Sequence, residues 1–251
     1  MRALAKNLLD VVVLLRPRYR LRRLCRRLAS AAVYRSLNTL ADKHYAAEDT
    51  HKPRHVFDEL ERLFKNKRHE QLRILELGVD SGASLLVWRD YFPRAIIVGI
   101  DAGPMQERLR RRDVEVVRGY QDDPEPLALA CKLSGGAFDL IIDDCAHIGH
   151  IAKRSFAQLF VPHLVPGGVY LIEDIGTSFW HGAFADALPF EAPALMSAVG
   201  SIDFPSHTNG MLGVAKQLVD HLVSDVIDGP RSLPIERITF LSNAAFVHKS
   251  A

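Results

Sequence analysis

The chain has 251 residues, 48% of them hydrophobic, enough for one well-buried domain with an appendage and too few for two large ones. Its net charge of +2 hides an asymmetry: residues 1–35 hold ten Lys or Arg against the single acid Asp10, for +9, so the rest of the chain carries −7. The three cysteines, Cys25, Cys131 and Cys145, are odd in number, widely spaced and without a CxxC pair, which excludes a disulfide framework and a cysteine-based zinc site and points to a reducing cytosol.

The opening segment, MRALAKNLLDVVVLLRPRYRLRRLCRRL, has the basic start and apolar centre of a secretion signal. Asp10 interrupts that centre and no small-residue cleavage site follows. VVVLL is far short of the roughly 20 apolar residues of a spanning helix, so neither secretion nor membrane spanning is expected. The segment reads as a solvated basic helix packed on its own domain or on a second subunit; a peripheral membrane or partner contact through residues 1–35 and a homo-oligomer stay open. Nucleic acid is not expected, because the arginines lack glycine or aromatic interleaving and the domain behind them is acidic. The expected division is a basic N-terminal helical extension over 1–50 and one domain over 51–251.

From residue 54 onward short apolar runs alternate with amphipathic stretches, the pattern of βα units. HVFDELERLFKN has helical spacing at Val56, Leu60 and Phe64. RILELGV reads as a strand that breaks at glycine, ASLLVWRDYF as a helix, AIIVGID as a second strand and VEVVRG as a third. PEPLALACKL is a helix, FDLIIDD a fourth strand, AKRSFAQLFVPHL a helix and GVYLIED a fifth strand, with Pro162, Pro166, Gly167 and Gly168 marking the turn before it. The strands are β-branched and nearly continuous in apolar character, as expected of a parallel sheet covered on both faces. Residues 176–210 then lapse into a stretch rich in Gly, Pro and aromatics, where Phe179, Trp180 and Phe184 suit either a sugar-stacking wall or the core of a lid. MLGVAKQLVDHLVSDV is a late helix, and IERITFLSN with AAFVHK makes a closing strand pair joined at Ser-Asn. The expected fold is α/β, a doubly wound, mostly parallel sheet with a C-terminal antiparallel strand pair.

The polar groups that stand out all fall at strand ends, where open α/β sheets bind ligands. In ELGVDSG, Gly78 permits a sharp turn and Gly82 lets the next helix start near a ligand. The loop lacks the third glycine of a dinucleotide fingerprint, which disfavours an NAD-dependent oxidoreductase. Asp101, about 20 residues on, can take the two hydroxyls of a ribose, indicating a nucleoside-type cofactor. Gln121 and Asp122 suit the edge of an adenine. Asp143 and Asp144 end the fourth strand and Glu173 and Asp174 the fifth; four carboxylates this close repel one another unless a cation joins them, and oxygen ligands favour Mg²⁺. His147, three residues beyond Asp144, is placed to accept a proton from a hydroxyl acidified by that cation. His150, one turn later, reads as a surface residue.

ILELGVDSGASLLVWRDYFPRAIIVGID, IIDDCAHIGHIAKRSFAQLFVPHLVPGGVYLIED and ITFLSNAAFVHK together resemble the class I S-adenosylmethionine-dependent methyltransferases. Within them they are most similar to the metal-dependent sugar O-methyltransferases of macrolide biosynthesis, the mycinamicin and macrocin type. The resemblance covers about residues 54–175 and the last two strands. It implies a Rossmann-like methyltransferase fold, with S-adenosylmethionine served by Glu76, Gly78, Gly82, Asp101, Gln121 and Asp143, Mg²⁺ held by Asp144, Glu173 and Asp174, and His147 as general base. Cys145-Ala146 stand where that family shows Gly-Ser. The implied reaction is methylation of a hydroxyl on a sugar or glycosylated small molecule, in the cytoplasm or peripheral to a membrane. A catechol-type phenolic acceptor and a non-catalytic, cofactor-binding accessory protein remain the alternatives.

Overall fold

The protein is described from a computed structural model, in which residues 35–46, 52–110, 112–188, 208–223 and 233–251 are described. Of the expected basic helical extension over 1–50, residues 1–34 and 47–51 lie outside the described residues, as does 189–207 of the long irregular stretch. Ser36–Ala251 forms one compact unit.

In chain order the elements are α1 (Leu37–His44), α2 (Arg54–Phe64), β1 (Arg73–Leu77), α3 (Ala83–Tyr91), β2 (Ile96–Asp101), β3 (Glu115–Arg118), α4 (Pro124–Ser134), β4 (Phe138–Asp143), α5 (Gly149–His163), β5 (Leu164–Glu173), α6 (Gly210–Gln217), β6 (Ile235–Leu241) and β7 (Ala244–Lys249). The strands form one seven-stranded sheet in the order β3-β2-β1-β4-β5-β7-β6. β1 to β5 pair in parallel, whereas β7 runs antiparallel to β5, and β6 antiparallel to β7. This is the expected doubly wound, mostly parallel sheet with its closing antiparallel strand pair.

Both faces of the sheet are covered, which is why the strand interiors are continuous apolar runs. One face packs Leu37, Phe57, Leu60, Trp88 and Tyr91 against Ile74, Leu140 and Phe246. The other packs Phe156, Leu159, Phe160 and Met211 against Leu75, Ile141, Tyr170 and Val247. Each large apolar side chain buried this way contributes about 2–3 kcal/mol. α1 thus joins the same core as α2 and α3, through Leu37, Leu40 and Ala41.

Two local differences from the sequence reading have physical causes. α5 runs to His163 with Pro162 in its last turn, and β5 starts at once at Leu164, so Pro166-Gly167-Gly168 lies inside the strand. The register against β4 jumps there from Phe138↔Leu164 to Leu140↔Val169, and Gly167 takes φ +72. The Pro-Gly-Gly run therefore makes an irregularity in a strand, a use of these residues that sequence pattern does not separate from a turn. The late helix is α-helical only over Gly210–Gln217 and continues as a 3₁₀ turn over Leu218–Val223.

Candidate active site

Chain order reverses between β1 and β4: β2 and β3 lie outward on one side, β5 on the other. Such a switch point opens a crevice at the carboxyl ends of the strands. Here Asp144 N donates to Leu77 O at 3.0 Å, tying the end of β4 to β1, and Gly78 N donates to Ile100 O at 2.9 Å, tying the end of β1 to β2. Gly78 has φ +88, and a Cβ on it would collide with the Asp144 carbonyl oxygen, so only glycine fits this crossing.

A cavity of about 540 Å³ opens above the crossing. Six of the ten expected site residues line it: Gly78, Asp101, Asp144, His147, Glu173 and Asp174. The other four, Glu76, Gly82, Gln121 and Asp143, do not. Gly82 shapes the loop, at φ +81 immediately before α3.

Glu76, Gln121 and Asp143, expected to serve the cofactor, are buried and engaged with neighbouring side chains. Trp88 Nε1 donates to Glu76 Oε2 at 2.8 Å. Gln121 Nε2 donates to Asp143 Oδ1 at 2.8 Å and to Ser155 Oγ at 3.0 Å, while its Oε1 accepts from Ala146 N at 2.7 Å. Tyr170 OH donates to Asp143 Oδ2 at 2.9 Å. Burial pushes the Asp143 carboxyl up to about 7 in spite of both donors. Asp122 is likewise taken, by Arg154 Nε of α5 at 2.7 Å.

At the rim of the cavity Asp101 Oδ2 accepts from the backbone N–H groups of Val79 and Asp80 at 2.8 and 3.0 Å, and Oδ1 from Gly103 at 2.7 Å. The carboxylate thus fixes the loops after β1 and β2 beside each other. Asp80, His147 and Asp174 all have positive φ (44, 53 and 52), backbone strain concentrated in the loops that carry the polar groups.

His147 Nε2 lies 3.7 Å from Asp174 Oδ2 and 4.0 Å from Asp144 Oδ1, too far for direct hydrogen bonds. One ligand atom each from Asp144, His147 and Asp174 can be chosen so that all lie within 4.8 Å of one another, a spacing a divalent cation can bridge. His147 Nδ1 is buried without a hydrogen-bond partner, and the ring is held edge-on by Phe184, centroids 5.7 Å apart. Asp174 is oriented by the β6–β7 turn: Asn243 Nδ2 donates to Asp174 Oδ1 at 2.6 Å, and Asn243 Oδ1 accepts from Gly176 N at 2.7 Å. Burial, then the neighbouring Asp144 charge, raises the Asp174 carboxyl.

Glu173 lines the cavity but turns to another partner. Lys52 Nζ lies 2.9 Å from Glu173 Oε1 and 3.1 Å from Glu76 Oε1, and also bonds Asp144 Oδ2. Burial works against the Lys52 charge, but the three carboxylates outweigh it and raise its pKa. Burial likewise pushes Asp144 up, yet Lys52 holds it below the usual carboxylate range. Part of the repulsion read from the sequence is therefore relieved by a lysine that lies at no strand end.

The outer wall is aromatic. Trp180, 60% exposed, and Phe184 line the cavity with ring centroids 6.0 Å apart; Phe179 does not reach it. Asp186 pins this segment by accepting from Gly149 N at 2.7 Å, at the start of α5. His150 is exposed and outside the cavity, as expected, and burial pushes the Cys145 thiol up to about 12, which keeps it protonated and unreactive near neutral pH.

No protein-family model matches the chain. Among curated proteins it is 37% identical over 170 residues to demethylmacrocin O-methyltransferase of Streptomyces fradiae, across 64% of this chain and 38% of the relative. It is 35% identical over 164 residues to mycinamicin VI 2''-O-methyltransferase of Micromonospora griseorubida, across 59% and 40%. The chain thus spans about two fifths of the length of these relatives. Among solved structures it is similar to the MycE methyltransferase of the mycinamycin biosynthetic pathway, in complex with Mg, SAH and mycinamycin VI. There the TM-score is 0.69 at 28% identity, covering 86% of this chain and 54% of that one. The resemblance to macrolide sugar O-methyltransferases read from the sequence is borne out.

Proposed function

We propose that the chain is an S-adenosylmethionine- and Mg²⁺-dependent O-methyltransferase acting on a hydroxyl of a sugar carried by a small molecule. The observation that carries this reading is the meeting of His147 Nε2 with the carboxylates of Asp144 and Asp174, 3.7–4.0 Å away, in the cavity lined also by Gly78 and Asp101. The relatives named for sugar O-methylation and the neighbour bound to Mg and SAH support it.

The residues present fit both groups. Asp144 and Asp174, with Glu173 beside them, offer the hard oxygen donors that suit Mg²⁺. When bound, Mg²⁺ would supply Lewis-acid chemistry that lowers the pKa of an acceptor hydroxyl. The loop Gly78–Ser81 and Asp101 border the side of the cavity assigned to S-adenosylmethionine, which supplies an activated methyl group on sulfonium. His147 removes the acceptor proton at Nε2, its ring set by Phe184. Asn243 holds Asp174 in place. Trp180 and Phe184, their rings tilted 38° to each other, offer apolar ring surface to a sugar. The buried Glu76, Gln121 and Asp143 support the loops from beneath. A cytoplasmic location accompanies the proposal, in keeping with the free Cys131 and Cys145; among the described residues no helix is long and apolar enough to cross a membrane.

The test is incubation with methyl-labelled S-adenosylmethionine and a panel of glycosylated macrolides, glycosylated polyketides and simple catechols, with Mg²⁺ or with a chelator. Label on a sugar hydroxyl that disappears with chelator is the expected result. Transfer to catechols alone would replace the sugar reading with the phenolic one, and transfer unaffected by chelator would remove the metal.

A further inference from the structure

The lysine beneath the acidic cluster has a role that the proposed reaction does not use. Lys52 is buried, with its side chain 3% exposed, and its ammonium reaches Asp144, Glu173 and Glu76. An ammonium carried out of water at this depth is strongly unfavourable unless paired, and so is each carboxylate it meets. The pairing is also unequal: one ammonium faces three carboxyl groups, of which burial raises Glu76 and pushes Glu173 up to about 8, with Asp174 nearby as a fourth.

The oxygens divide between two sides. Asp144 Oδ2 and Glu173 Oε1 face Lys52, whereas Asp144 Oδ1 faces His147 Nε2 across 4.0 Å, beside Asp174 Oδ2. Asp144 therefore has one oxygen turned to the lysine and the other to the group that can receive a divalent ion. Glu173 Oε1 is buried and has no hydrogen-bond partner of regular geometry, so the ion pair with Lys52 is its compensation.

We infer that Lys52 is a resident monovalent cation that shares the acidic cluster with the divalent ion: it offsets part of the charge on the inner oxygens of Asp144, Glu173 and Glu76 at all times, which lets the cluster stay folded without metal and leaves the outer oxygens to exchange it. This rests on the metal-dependent reading above. The lysine is a positioning residue, acting on the acceptor only through Asp144. With its charge removed, the inner carboxylates are uncompensated, and a divalent ion becomes the cation able to stabilise them.

The test compares thermal unfolding of the full chain and of Lys52→Met, each in chelator and in saturating Mg²⁺, with calorimetric Mg²⁺ titration of both. The wild type is expected to be folded in chelator and to gain a few degrees from Mg²⁺. Lys52→Met is expected to melt about 10 °C lower in chelator, given the effect of breaking a buried ion pair in a domain of this size, to recover most of that in Mg²⁺, and to bind Mg²⁺ about tenfold more tightly. A loss identical with and without Mg²⁺, or no loss, would overturn the inference, since lost packing alone is indifferent to the ion. Should Lys52→Met fail to fold in chelator, Lys52→Met/Glu173→Gln removes one charge of each sign and is expected to fold there; its failure to do so would also overturn the inference. Absence of Mg²⁺ binding by the wild type would instead strike the metal-dependent reading, and is read separately in the calorimeter.

Discussion

The polar residues of the site form two tiers that differ in how their atoms are satisfied. In the lower tier Glu76, Gln121 and Asp143 are buried, and the bonds that hold them run to Trp88, Ser155, Ala146 and Tyr170 at 2.7–3.0 Å. In the upper tier His147 faces Asp144 and Asp174 across 3.7–4.0 Å, and Asp174 is 37% exposed at its side chain. Short bonds close most of the lower tier, with Glu76 Oε1 left to Lys52 at 3.1 Å; open spacing above leaves lone pairs for a ligand. The same residue types, carboxylates at strand ends, are thus either closed off by neighbouring side chains or left facing the cavity.

Substitutions in the upper tier should remove chemistry while sparing the fold. His147→Ala is expected to slow methyl transfer on the order of 10²–10⁴-fold, the contribution of a positioned general base, with S-adenosylmethionine affinity within about threefold of the wild type by calorimetry. A lower-tier change should do the reverse. Gln121→Ala strips partners from Asp143, Ser155 and Ala146, and is expected to cost about 3 kcal/mol in denaturant unfolding while weakening Mg²⁺ binding less than any upper-tier change.

Between these lies Asp174→Asn, expected to weaken Mg²⁺ about 10–100-fold in a calorimetric titration; removing its support through Asn243→Ala should give the smaller part of that loss. The mildest effect belongs to a carboxylate in neither tier. Asp90 on α3 meets Lys43 and His44 of α1 at 2.9 Å and Arg112 at 3.0 Å; in spite of burial these partners hold its carboxyl well below the usual range. A depressed folded pKa adds stability that is present above the unfolded pKa, near 4, and is lost as pH falls below it. Asp90→Asn should therefore cost about 1–2 kcal/mol at pH 7, a difference that narrows as unfolding is repeated from pH 4 toward pH 2.

Much of this was legible in the sequence. Apolar runs such as LIID in β4 and YLIE in β5 mark strands buried on both faces, and the carboxylates that follow them stand where the strands end. Gly78 was legible because a loop crossing beneath another strand end needs its conformation. The tier of each residue was not. Asp143 and Asp144 are adjacent, yet one turns down to Tyr170 and the other opens to the cavity, a consequence of alternation along an extended chain whose phase is set only by the folded sheet. Lys52 was missed because it sits in DTHKPR, outside any strand end, and reaches the acids across 92 residues of sequence in the case of Asp144. Asn243 carried a turn signal, with φ +64, and nothing in that signal reveals its grip on Asp174.

The most direct measurement is calorimetric titration of S-adenosylmethionine and of Mg²⁺ into the wild type and Asp144→Ala. Binding of S-adenosylmethionine by both proteins, with Mg²⁺ bound by the wild type and not by the variant, is the result expected of a metal-dependent methyltransferase. S-adenosylmethionine binding by neither would contradict that account and leave the two tiers to be explained by a different ligand.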